Sequence, residues 1–239
     1  MEAGSNISDK PQLESLLRRS DLWRGDSRRF VAQRVLATGY EALDRALLHK
    51  GWPLGALLEV CQPTLQGYGE WLLFGPALQA TTTGYVVLLN PPALPFAQGL
   101  IQLGVDLNRL LVVQTHEKSR FIKSFLELAR SPECKCLLSW QPRQNLTYTD
   151  IRKCLLSCTN NHSLNVLLRH SQARHQSSPA SLRLELQLQP QALAVELFKQ
   201  KGLLLKKTQQ LLLPLPAHYR PQHQPSSSTT PVIPLFESL

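Results

Sequence analysis

The stretch from Glu59 to Leu72 reads EVCQPTLQGYGEWL: the end of an apolar run, a glycine-bearing turn and the start of a helical pattern. A phosphate-cradling loop occupies such a place, because backbone N–H groups at a helix N-terminus face anions and glycine lets the chain come close to them. The pattern for that chemistry is G-x-x-x-x-G-K-[ST], in which the lysine reaches the β- and γ-phosphates and the hydroxyl holds Mg²⁺. Here the eight positions run from Gln62 to Gly69. Gly67 supplies the second glycine, but Gln62 replaces the first, Tyr68 the lysine and Gly69 the hydroxyl residue. Glu70 then adds a negative charge where phosphate would lie. A loop altered in this way lacks the positioned charges on which phosphoryl transfer depends.

Periodicity indicates what holds the loop in place. Ala42, Leu43, Ala46 and Leu47 fall at helical spacing, with Thr38 or Gly39 expected as N-cap and Gly51 as the stop. ALLEVC, bounded by Gly55 and Pro63, reads as a buried strand. Helices are then expected over 67–80, 96–103, 118–130 and 147–158, alternating with strands over 84–90, 110–114, 135–140 and 164–168. That alternation predicts a parallel sheet covered on both faces. SLRLELQLQ and LAVELFKQK then switch to a period of two, which predicts an antiparallel pair with one solvated face at the sheet edge. The fold class is α/β. Its core is expected over 35–213, between a basic N-terminal arm (1–34, with a short amphipathic helix carrying Leu13, Leu16 and Leu17) and a Pro/Ser-rich tail (214–239) expected to be mobile.

The chain has 239 residues, a formal net charge of +9, and a polar N-terminus without the apolar core of a signal peptide. No apolar run reaches the length of a membrane span, and five cysteines make an odd number for a disulfide scaffold. These features predict a cytoplasmic protein with no membrane role. The charge favours an acidic partner such as nucleic acid.

TGYEALDRALLHKGWPLGALLEVCQPTLQGYGEW resembles the start of the RecA-family core, TGxxxLDxAL…GGLPxGxxxEIxGPxxxGKT. Thr38, Gly39, Leu43, Asp44, Ala46, Leu47, Gly51, Pro53, Gly55, Glu59 and Pro63 fall in register without a gap, and LIQLGVDLNRLLVVQ continues the likeness. Under that resemblance Trp140, closing KCLLSW, stands where a metal-binding Asp would be. Pro92 stands where a water-activating Glu would be. The resemblance therefore implies a RecA-like fold with a degenerate phosphate loop, no ATP hydrolysis and no cofactor. An active ATPase with an atypical loop is the enzymatic alternative.

Trp23-Arg24-Gly25, Gly51-Trp52-Pro53, the NPP after the second strand, LLSWQPRQN and the LRLELQLQ…VELFKQKG ending are similar to the ImuA family. Membership implies an SOS-induced, non-catalytic accessory factor for error-prone translesion DNA synthesis. It would act on an ImuB-like Y-family protein, with RecA and a DnaE-type polymerase as further partners, and would be nucleoid-associated at DNA damage. The SulA-like reading, an inhibitor of cell division that binds FtsZ, is the alternative.

Further residues invite chemistry. Arg169, Arg174 and Arg183, among His162, His170 and His175, would form either a contact with the DNA backbone or a solvated basic loop. Arg18 and Arg19 belong to a basic N-terminal cluster that would meet a partner or remain a charged arm. Leu235 and Phe236 in PVIPLFESL would anchor a peptide motif in a partner's groove, or dock on their own domain. Cys134 and Cys136, with Cys154 and Cys158, are expected to pack in the core and not to bind a metal.

Overall fold

A computed structural model describes residues 33–65, 69–159, 161–203 and 208–215. Expectations for the arm with Arg18 and Arg19, for Gly67 and Tyr68, and for the tail with Leu235 and Phe236 lie outside those residues.

The described chain begins with a small antiparallel pair, β1 (Val35–Leu36) and β2 (Trp52–Pro53), flanking helix α1 (Glu41–Ala46). β3 (Ala56–Gln62), α2 (Gly69–Ala80), β4 (Tyr85–Leu89), α3 (Ala97–Gln102), β5 (Leu110–Val113), α4 (Lys118–Arg130), β6 (Cys134–Trp140), α5 (Tyr148–Cys158) and β7 (Leu164–His170) follow in strict alternation. The chain closes with β8 (Leu182–Leu188), β9 (Ala192–Gln200) and β10 (Gln209–Pro214). The sheet has eight strands in the order β10-β9-β8-β3-β7-β6-β4-β5. β8, β3, β7, β6, β4 and β5 run parallel, while β9 is antiparallel to β8 and β10 to β9.

Every residue of β3 is buried, as a central parallel strand with both faces covered requires. Leu58 and Val60 point into a core shared with α2, α1, β2 and the strands from β4 to β10. Leu57 points the other way, into a core with Phe121, Phe125 and Ala129 of α4 and Ile151, Cys154 and Cys158 of α5. The four-residue spacing of Phe121, Phe125 and Ala129 is the buried stripe of an amphipathic helix. Helix α5 opens on a capping box. Thr147 Oγ1 accepts from Asp150 N, and Asp150 Oδ2 accepts from Thr147 N at 2.9 Å. Partial burial pushes the Asp150 carboxyl up, but Lys118 and Thr147 outweigh it and hold the group down at about 2.

Helix α2 is buried along most of its length and carries Pro76 in its interior. Proline has no N–H, so it leaves the carbonyl four residues back without its helical donor. That carbonyl belongs to Leu72, and the Tyr40 hydroxyl donates to it at 2.7 Å. Gly39, at φ +84°, lies so close beneath that an added Cβ would sit 2.3 Å from Pro76 Cβ. The Thr38–Gly39–Tyr40 segment thus fits against the proline of α2.

Several expectations are corrected. The N-cap of α1 is Tyr40 and not Thr38 or Gly39; Thr38 Oγ1 accepts from Tyr40 N, and Asp44 Oδ1 accepts from Thr38 N. The helix stops at Ala46, before Gly51, and Ala42 faces solvent. β8 joins the parallel set beside β3, and a third strand, β10, extends the edge. Of the polar residues alternating along β8, Gln187 faces solvent as expected, but the two before it do not. Arg183 is buried and Glu185 half-buried, because residues 171–181 form a strap over that face. Among the described residues no helix is long and apolar enough to cross a membrane.

Candidate functional site at the carboxyl edge of the sheet

In an open parallel sheet, ligands bind outside the carboxyl ends of the strands, where successive connections leave toward opposite faces. Here that place lies between β4 and β6. The helix after β4, α3, joins the core containing α2, whereas the helix after β6, α5, joins the core on the other face. A cavity of about 520 Å³ opens there. Its lining includes Leu65 from the loop after β3, Pro92 after β4, Thr115 after β5, and Trp140 and Arg143 at the end of β6.

The floor is set by Asn90, a non-glycine residue at φ +58°. Its Oδ1 accepts from Thr115 N at 2.6 Å and from Thr115 Oγ1 at 2.9 Å, and its N–H donates to Val113 O. Gln114 Nε2 donates to Pro91 O at 3.0 Å. Gln141 Oε1 accepts from Arg169 Nε at 2.6 Å. Sequence reasoning did not single out Asn90, Gln114, Thr115 or Gln141 as site residues. The available signal was an asparagine at a strand end, since asparagine enters the left-handed region more readily than most residues, though the Pro91 that follows argues by itself for extended backbone.

The positions aligned with nucleotide chemistry divide into two groups. Pro92 and Trp140 share the cavity wall with Leu65. Gln62, Glu70 and Trp140 are buried together, with the Trp140 indole and the Gln62 amide turned towards the Glu70 carboxyl at less than ideal hydrogen-bond geometry. Burial pushes the Glu70 carboxyl up to about 7, against the pull of its own N–H, the Trp140 indole and the Gln62 amide. The expected negative charge is therefore a buried acid that holds its proton up to near neutral pH. Gly69 starts α2, and its Cβ position would meet Leu186 Cδ2 at 3.2 Å and Leu193 Cδ1 at 3.4 Å. Its smallness serves close packing against β8 and β9. Trp140 lies against Trp71, with ring centroids 5.7 Å apart.

Arg169, Arg174 and Arg183 turn inward. Glu59, fully buried in β3, accepts from Arg183 Nε at 3.0 Å, from Arg183 Nη2 at 2.7 Å and from Ser178 Oγ at 2.5 Å. Arg169, 1% exposed, reaches the same carboxylate at 3.4 Å and donates to Gln176 Oε1 at 2.8 Å. Arg174 bridges Glu185 and Glu196, with two bonds to Glu196 at 2.6 and 2.8 Å, and lies over the Phe198 ring beside Arg183. The Glu196 partners push the Arg174 guanidinium further up. Lys199 Nζ donates to Ser178 O, which fastens the strap from the β9 side. Burial rules out both a DNA contact and a solvated loop for Arg169 and Arg183, while half-buried Arg174 is held by Glu185 and Glu196.

All five cysteines are buried. Cys134, Cys154 and Cys158 lie in the α4/α5 core and Cys136 in the other. Burial pushes Cys134 and Cys154 up to about 12 and Cys136 and Cys158 higher still, so these are packing thiols and not nucleophiles.

Compared with models of known families and with curated proteins, the chain matches none.

Proposed function

We propose that this chain is a non-catalytic, RecA-like adaptor in SOS-induced translesion DNA synthesis, working through contacts with an ImuB-like Y-family protein. The observation that carries the reading is the convergence, at one edge of the sheet, of the positions that a RecA-type enzyme would use. Gln62, Glu70, Pro92 and Trp140 meet there, and Gly69 opens the adjoining helix. Gln62, Gly69, Glu70 and Trp140 are buried in packing, and exposed Pro92 has no base to offer where the resemblance expects one. Phosphoryl transfer rests almost wholly on a positioned cation, metal ligand and base, so their replacement favours a scaffold role over an ATPase. The central position of β3, followed by a turn and helix α2, supports descent of that turn from a phosphate loop.

The test combines binding with genetics. Purified protein titrated with a fluorescent ATP analogue and Mg²⁺ is expected to show no saturable signal; saturable binding would sink the degenerate-loop reading. Deletion in the source organism is expected to abolish ultraviolet-induced mutagenesis while division stays normal. Filamentation on overproduction, with mutagenesis intact after deletion, would transfer the chain to the SulA-like class.

A further inference from the structure

We propose that the outer face of α4 and α5 is a sequence-independent binding surface for the phosphate backbone of nucleic acid. This inference stands apart from the adaptor reading and does not depend on it.

The two helices lie side by side and run in the same direction. Lys118 Nζ meets Asp150 at 2.6 Å near the start of both helices. At the far end, Asn161 Nδ2 donates to Ala129 O and Ser131 O. The sequence offset is 32 at the first contact (150 − 118) and 32 and 30 at the second (161 − 129 and 161 − 131). Arg120 and Arg152 therefore stand at the same height, since 152 − 120 is also 32. Phe121, Phe125, Ala129, Ile151, Cys154 and Cys158 take the inner faces. The outer faces carry Arg120, Lys123 and Arg130 on α4, and Arg152 and Lys153 on α5, all exposed.

Little on this face neutralises that charge. Arg120 makes a loose pair with Glu117 at 3.7 Å, and Glu127 is the exposed acid among the helical residues. Among the described residues Lys123, Arg130, Arg152 and Lys153 have no ion pair. Elsewhere the same molecule pairs its arginines closely, as with Arg169, Arg174 and Arg183. Two rows of like charge at matched height repel one another, and a polyanion laid along them relieves that repulsion.

The form of the surface favours nucleic acid over other polyanions. From Arg120 to Arg130 the row is about 15 Å long at ~1.5 Å per residue, along which duplex DNA offers roughly nine charges at one per ~1.7 Å. The side chains are long and unconstrained, which suits phosphates met in any sequence register. Tyr148, 46% exposed, stands one turn before Arg152 and presents a ring for a sugar or an unstacked base. A membrane surface would call for a broad apolar stripe, and among the described residues the outer face of α5 offers Leu156 alone, two turns beyond that tyrosine.

The experiment is fluorescence anisotropy of the full chain with labelled oligonucleotides, single-stranded and duplex, between about 50 and 200 mM salt. The expected result is binding whose log–log salt slope is roughly −3 to −4, at about 0.7 to 0.9 per neutralised phosphate. The triple variant K123E/R152E/K153E should bind at least about tenfold more weakly, with a slope shallower by about 2 to 3. If that variant loses its circular-dichroism signature, K123Q/R152Q/K153Q is judged by the same criteria. The variant R18E/R19E should keep most of the slope. Absence of binding by the unaltered chain, or equal binding by the charge variants, overturns the proposal. So does equal competition by polyglutamate or phosphatidylserine vesicles at matched charge, which would assign the face to acidic proteins or membranes.

Discussion

Arg183 donates to Glu59 through two nitrogens, at 2.7 and 3.0 Å, and both residues are shut away from water. A buried charge of this kind tolerates its position only while its partners remain, since an unpaired one carries the whole desolvation cost. Glu59→Gln and Arg183→Met should each destabilise the fold by about 3–5 kcal/mol. For a domain of this size that lowers the melting temperature by roughly 6–20 °C. Thermal denaturation checks it. A loss under about 1 kcal/mol in both variants would show that the strap, and not the ion pairs, holds this face.

The bond from Tyr40 to Leu72 O exists because Pro76 leaves that carbonyl unserved. Tyr40→Phe should therefore cost about 1–3 kcal/mol in the native background. In a Pro76→Ala background, where the helix regains its own donor, the same change should cost much less. A double-mutant cycle by denaturant unfolding should give a coupling of at least about 1 kcal/mol. Additive losses would mean that the hydroxyl is incidental to the proline.

Glu70 confers a pH dependence of definite sign. Its carboxyl titrates at an ordinary value of 4.5 when unfolded and at about 7 when folded. Between those values the folded chain holds a proton that the unfolded chain has released, so stability falls as pH rises through the window and levels off above it. Glu70→Gln removes the effect. It should be more stable than the native chain above about pH 8, by at most about 3 kcal/mol at ~1.4 per pH unit, with the gap closing towards pH 4.5. Parallel stability curves for the two proteins would refute it.

The alternation of strands and helices was readable because each strand from β3 to β7 is a short apolar run, α4 carries a clear buried face and α5 a capping box. The Lys118–Arg130 helix was placed to the residue, and the helix expected over 147–158 runs from Tyr148 to Cys158 with Thr147 as its cap. Arg183 and Glu185 of SLRLELQLQ were misread for a physical reason. Alternation says that two faces of a strand differ, but not what covers each one. Arg183 looks solvent-bound until Glu59 is brought beside it from the far side of the chain. Asn90 was missed because its importance lies in a backbone angle and in two bonds to Thr115, neither of which leaves a periodic trace. Strand β10 was lost against the proline-rich sequence that follows it.

The reach of the Glu59 contacts also sets an order of events during synthesis. Its partners lie 110, 119 and 124 residues downstream, at Arg169, Ser178 and Arg183. At about 5–20 residues per second, the ribosome needs roughly 6–25 s to deliver the last of them after Glu59 itself has been made. The middle strand of the sheet has neither neighbour until β7 is made, and only one until β8 follows, because β7 and β8 flank it on both sides. The first strand of the sheet to be made is thus among the last to be enclosed, and a nascent chain stalled before Arg169 carries an acidic group on an apolar strand with none of its three partners made. That interval is when the growing polypeptide most needs shelter from its neighbours.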